Sequence, residues 1–162
     1  YLQYRAVEGE TALPLLICGH EGWKSGEVHE RLKHLATQGH VRYLGYLPQP
    51  SLPLLIGGAR ALLYPTLYEG FGLPVLEAMQ AGTAVMTTRN TAAAEIAGEA
   101  ACCVDAESEG EMAEAMRSLH HDQDKLDVLV TRGLERAACF SWEACASATI
   151  AVYDLVLSGR TL

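Results

Sequence analysis

No cluster of lysine or arginine occurs in this 162-residue sequence, where 12 basic groups face 20 acidic ones. Phosphodiester backbones are gripped by clustered cations, so a net charge of −8 argues against a nucleic-acid partner. The same lack removes a polybasic membrane patch. Nor is there the run of roughly 20 apolar residues that a spanning helix needs, because Arg60 and Glu69 break the richest stretch, Leu52 to Leu76. Low-complexity segments and internal repeats are missing. The five cysteines (Cys18, Cys102, Cys103, Cys139, Cys145) show no CxxC or CxxxH spacing. Their odd number predicts free thiols in a reducing compartment, acting as small buried hydrophobes. His29 and His34 do not stack on one helical face, and His120–His121 reads as a solvated helix end, so no metal is expected. The sequence opens on Tyr1, without an initiator methionine or a charged-then-apolar leader. We read it as a piece of a longer protein. The 49% apolar and 20% charged composition suits one folded domain over residues 1–162.

Short apolar runs alternate with helical periods. Leu13–Cys18, ended by Gly19, has the pattern of a strand buried on both faces. Val28, Leu32, Leu35 and Ala36 follow at helical spacing, and Gly39 stops them. Further strands are predicted over 40–44, 61–65, 83–88 and 101–104, with helices over 51–58, 73–81 and 92–97 between them. This order implies a doubly wound, Rossmann-like α/β domain with a parallel sheet and helices on both faces. After Asp105 the pattern is wholly helical. One stripe holds Met112, Ala115, Met116 and Leu119, and a second holds Leu126, Leu129, Val130, Gly133 and Ala137. A third, Trp142, Cys145, Thr149, Val152 and Val156, opens at Ser141 as N-cap. All three are assigned to packing.

The segment Tyr64–Gly82 carries the chemistry. A strand ends at Pro65, a loop follows, and Gly70 and Gly72 flank Phe71 just before a helix whose first turn tolerates Pro74. The amides of Phe71, Gly72 and Leu73 then project from the positive end of a helix dipole, a setting that binds phosphate. Glu77 lies one turn, about 5.4 Å, further on, and helical side chains lean back toward the N-terminus. Its ionised carboxylate only accepts hydrogen bonds, which suits the two hydroxyls of a ribose. Glu69, before the helix, faces the same mouth and suits the hydroxyls of a sugar beyond the phosphates. Alone, a first-turn carboxylate is usually a dipole partner, and no GxGxxG occurs. The joint arrangement at the carboxyl end of a parallel strand is what points to a ligand.

The stretch Glu69-Gly70-Phe71-Gly72-Leu73-Pro74, with Glu77 eight positions after Glu69, resembles the Glu-x7-Glu motif of family 4 (group 1) retaining glycosyltransferases. The matching part is the C-terminal, nucleotide-sugar-binding half of their GT-B fold. Gly45-Tyr46-Leu47, Pro65-Thr66-Leu67-Tyr68, Ala81–Val85 and Phe140–Glu143 resemble its flanking segments, so the likeness spans about residues 13 to 157. The resemblance implies that Glu77 binds the donor's ribose and that the amides of Phe71, Gly72 and Leu73 line its diphosphate, with Gly70 also among the donor-binding residues. It places the Tyr46–Leu47 backbone near the base and gives Glu69, on the transferred sugar, the catalytic role. No metal or other cofactor is implied; the donor would be a UDP- or GDP-sugar, the acceptor a glycan or lipid. The family's diphosphate-clamping arginine and lysine precede Leu13 and have no match here, Arg5 being outside that pattern. Ala84 and Ala94 stand where the family often has proline.

The resemblance also implies six parallel strands with the first in the middle of the sheet, whereas five are counted, with Tyr1–Glu10 as the helix after the missing one. Three outcomes are expected for the slot: its neighbours collapse together, another chain fills it by strand exchange or dimerisation, or the polypeptide extends further. The expected function is the donor-binding half of a retaining hexosyltransferase, inactive alone. The full-length protein is expected in the cytoplasm or at the inner face of the membrane. A nucleotide-binding or assembly module without transfer is a second reading. A glycoside hydrolase with Glu69 and Glu77 flanking one bond, roughly 5–9.5 Å apart, is a third.

Overall fold

The computed structural model describes residues 1–20, 22, 25–48 and 50–159. Helix α1 (Leu2–Glu8) leads into β1 (Leu15–Cys18), α2 (Gly26–Thr37), β2 (Val41–Gly45), α3 (Leu52–Gly57), β3 (Ala61–Tyr64), α4 (Leu73–Gln80), β4 (Ala84–Thr88), α5 (Ala92–Ala97) and β5 (Ala101–Val104). Three helices follow: α6 (Glu109–His121), α7 (Gln123–Ala137) and α8 (Trp142–Leu157). Their starts are set by side-chain caps: Ser108, Asp122 and Ser141 each accept a backbone N–H three residues on. The α/β alternation is therefore as the pattern predicts.

All strand pairs are parallel, but the sheet comes in two pieces, β1–β2 and β3–β4–β5. The neighbours of the slot do not pair with each other. Collapse, one of the three expected outcomes, is not what the described residues show. Among the described residues the facing edges of β1 and β3 form no ladder.

β4 is buried along its whole length and divides the core. Val85 faces one apolar cluster with Val75, Met79, Ala93 and Ile96. Ala84 and Met86 face another with Val104, Leu119, Leu126 and Leu129. A strand side chain alternates between faces, so this single strand requires helices on both sides, α4 and α5 on one and α6 and α7 on the other.

Four expectations need correction. β1 is not buried on both faces, since Leu16 is 39% exposed and Cys18 is exposed; it borders the slot. The third helical stripe is not packed: no residue of α8 is buried, and Trp142 is 78% exposed, because periodicity marks an apolar face without saying what covers it. The cysteines are free but not buried: Cys102 and Cys103 in β5 are half-buried, and Cys18, Cys139 in the turn after α7, and Cys145 on α8 are exposed. His120 and His121 do end α6, and His121 is exposed, but neither ring is left to solvent alone. His120 Nδ1 and the Tyr4 hydroxyl are hydrogen-bonded at 2.9 Å, and His121 Nε2 lies 2.7 Å from Glu8 Oε2. With Arg117 Nε donating to Glu8 Oε1 at 2.9 Å, this clasp ties α1 to α6.

Candidate functional site

β3 delivers the site loop, and β4 fixes it. Thr87 Oγ1 donates to the Tyr64 carbonyl at 3.1 Å, and Thr88 Oγ1 donates to the Thr66 carbonyl. Both threonines are fully buried. Their hydroxyls thus satisfy the last carbonyls of a strand end that has no further ladder partner.

The loop closes onto α4 at Gly72, the helix N-cap, which has φ 101° and ψ 39°. L-residues avoid this left-handed region. A Cβ here would also lie 2.9 Å from Ala93 Cα at the start of α5. Gly72 is therefore needed twice, for its torsion and for the close approach of two helix N-termini. Neither the Gly72 nor the Leu73 amide has a hydrogen-bond partner among the described residues, and Leu73 is 48% exposed. Phe71 leaves the loop edge-on against Phe140, with centroids 6.3 Å apart, and Arg136 lies over the same Phe140 ring.

Glu69 folds back over its own loop. Tyr64 donates its hydroxyl to Glu69 Oε2, the Gly70 amide donates to Oε1 at 3.0 Å, and the Phe71 amide adds a further attraction. The Tyr64 hydroxyl first and the Gly70 amide second hold the Glu69 carboxyl below its ordinary range. Tyr64 responds in the opposite sense: burial, reinforced by the carboxylate, pushes its hydroxyl up to about 12. Of the three amides expected to be free, Gly72 and Leu73 are so among the described residues, whereas Phe71, like Gly70 before it, is turned toward Glu69.

Glu77 is exposed in the second turn of α4, and its carboxylate forms no hydrogen bond among the described residues. With Gln80, Ala81, Pro50, Leu52, Pro53 and Ile56 it lines a cleft of about 560 Å³. The open amides at the mouth of α4 and this carboxylate, one turn further on, thus belong to the same helix. Tyr46 and Leu47 follow β2, on the other block. Tyr46 stacks on His20, with centroids 4.6 Å apart and planes 16° apart. The cleft beside Glu77 is walled by Pro50 rather than by those two residues.

Sequence reasoning did not single out Tyr64, Gln80 or Ala93. The helical spacing of Gln80 from Glu77 was the available signal for Gln80; the contacts of Tyr64 and Ala93 are set by folding of the loop. Glu8, His120 and His121 bring three ligand-type atoms together. The Glu8 carboxylate is already neutralised by Arg117, which makes this a helix clasp rather than a cation site.

A family model for glycosyl transferases group 1 matches residues 5–136. The chain is 36% identical over 156 residues to the O-antigen chain mannosyltransferase B of Escherichia coli, covering 94% of this chain and 41% of that protein. Its fold matches sucrose-phosphate synthase from Thermosynechococcus elongatus with a TM-score of 0.81 at 22% identity, over 98% of this chain and 42% of that one. It also matches Anabaena Alr3699/HepE in complex with UDP-glucose, with a TM-score of 0.68 at 18% identity, over 77% of this chain and 36% of that one. The chain spans about two fifths of the length of the proteins it matches.

Proposed function

The chain belongs to the group 1 glycosyl transferases, and from that premise we propose that it is the nucleotide-sugar-binding half of a retaining hexosyltransferase. The observation that carries this reading is the pairing of two open amides at the mouth of α4 with the unpartnered Glu77 carboxylate further along the same helix. A diphosphate on the Gly72 and Leu73 amides would meet the positive end of the helix dipole. Its ribose would then reach Glu77, and its base the apolar wall formed by Pro50, Leu52 and Pro53. Preorganised amides stabilise the charge that develops on the leaving diphosphate, so this reading calls for no metal.

Glu69 accepts hydroxyls of the transferred sugar. Its lowered pKa suits an acceptor that stays ionised. A glycoside hydrolase acid needs the reverse, a carboxyl held protonated near neutral pH, which disfavours that alternative. Mannosyltransferases among the relatives and UDP-glucose on a structural neighbour favour a UDP- or GDP-sugar donor. We further propose that a strand of the longer polypeptide fills the slot between β1 and β3, and that residues 1–162 are one donor-binding domain that transfers nothing alone. The glycan or lipid acceptor belongs to the remainder of that polypeptide. The free thiols suit a reducing compartment, and on that basis we place the protein in the cytoplasm or at the inner membrane face. Among the described residues no helix is long and apolar enough to cross a membrane.

The test is titration of the full-length protein with UDP, GDP and ADP and with their glucose or mannose derivatives. Glu77→Ala should weaken every nucleotide by about tenfold or more, as expected for lost hydrogen bonds to a charged acceptor. Glu69→Ala should weaken only the sugar-bearing ones. Equal losses, or none, overturn the assignment.

A further inference from the structure

Tyr64 ends β3 with its backbone pinned to β4 through Thr87 and its ring packed against the apolar cluster of α4 and α5. The ring alone would serve packing as well as phenylalanine does. The hydroxyl is different: it is half-buried and is spent on one carboxylate oxygen of Glu69, while the Gly70 amide holds the other. A carboxylate offers about four lone-pair sites. With Tyr64 and two loop amides on it, the remaining acceptor direction is fixed by the protein rather than left to a rotating side chain. A group already oriented loses less freedom when it binds.

We infer that Tyr64 is a positioning residue of the donor site, whose hydroxyl fixes the Glu69 carboxylate so that its open lone pair faces the transferred sugar. This rests on the reading of Glu69 as the sugar's acceptor and adds the group that aims it. Tyr64 forms no hydrogen bond with the Gly72 or Leu73 amide or with the Glu77 carboxylate among the described residues, so its hydroxyl acts on the sugar end of the site. Tyr64 is also the titratable side chain that faces Glu69, the other facing groups being the Gly70 and Phe71 amides.

The experiment compares wild type, Tyr64→Phe, Glu69→Gln and the double variant in the full-length protein. Calorimetric titrations with UDP-glucose, GDP-mannose and ADP-glucose are set against UDP, GDP and ADP. Tyr64→Phe should weaken the sugar nucleotide roughly tenfold, the scale of one hydrogen bond to a charged group, and leave the free nucleotide unchanged, with only a small fall in melting temperature from the lost Tyr64–Glu69 bond. Adding it to Glu69→Gln should cost little more. The sugar-dependent gain in affinity should also fade at a higher pH in Tyr64→Phe, because Glu69 loses the donor that keeps it ionised. Full sugar-nucleotide affinity in Tyr64→Phe, with a loss in Glu69→Gln, overturns the inference and leaves the Glu69 reading standing. Equal weakening of free and sugar-bearing nucleotides by Tyr64→Phe overturns it in favour of a role in the loop's fold. No effect of Glu69→Gln, or no wild-type binding of any pair, refutes the underlying donor reading and the positioning role with it.

Discussion

Gly72→Ala tests the link between fold and site at a single atom. The new Cβ would sit 2.9 Å from Ala93 Cα and 3.1 Å from Ala93 Cβ, so it meets backbone that cannot rotate away. Forcing an L-residue to the positive φ of Gly72 costs about 1–2 kcal/mol, and overpacking a close helix contact adds about 1–3 kcal/mol. The sum, about 2–5 kcal/mol, is a large share of the roughly 5–15 kcal/mol that holds a typical domain folded. Gly70→Ala is the internal control, two residues away in the same loop. It has neither a positive φ nor any atom within 4 Å of the added carbon, so its effect should stay within about 0.5 kcal/mol. Urea unfolding of the full-length protein, followed by far-UV circular dichroism, measures both. Nucleotide affinity should fall in Gly72→Ala as α4 is pushed off α5, and hold in Gly70→Ala. The reasoning is wrong if Gly72→Ala unfolds within about 0.5 kcal/mol of wild type, or if the two variants behave alike.

Two further expectations concern stability. Met86→Ala empties a fully buried site on the central strand and should cost about 2–5 kcal/mol by the same denaturation assay; a loss well below that would mean the second cluster collapses around the cavity. Glu8 is held below the ordinary carboxylate value of 4.5, first by His121 and then by Arg117. Its contribution is therefore complete above that value and is lost as pH falls through its lowered one. The gap in melting temperature between wild type and Glu8→Gln should be open at neutral pH and close in acid, and a gap constant with pH would refute the clasp.

Much of the fold was legible because many of its elements carry their own stop. Gly19, Gly39, Gly45 and Gly82 all take positive φ at the ends of elements, and β4 is apolar or β-branched on both faces. The alternation of α and β follows from these local signals. What was not legible depends on partners distant in sequence. The stripe on α8 has the same period as those on α6 and α7, yet only the latter two find cover within this chain. The Glu8–His121 pair spans 113 positions, and no local pattern encodes it. The same division runs through the site. Gly72 and Glu77 could be read from a strand, a loop and a helix start. The turning of Glu69 onto Gly70, and its capture by Tyr64, depend on a loop conformation that sequence spacing leaves undetermined.

The break between β1 and β3 governs more than stability. Tyr46 and Leu47 ride on the two-stranded block, whereas the open amides and Glu77 ride on the three-stranded one. A strand paired into the break would rule the spacing of the two blocks the way a spacer sets the jaws of a caliper. The reach from Tyr46 and Leu47 to the cleft beside Glu77 would then be dictated by side chains that touch neither. Substitutions in such a spacer would change that reach while leaving every ligand-facing residue intact.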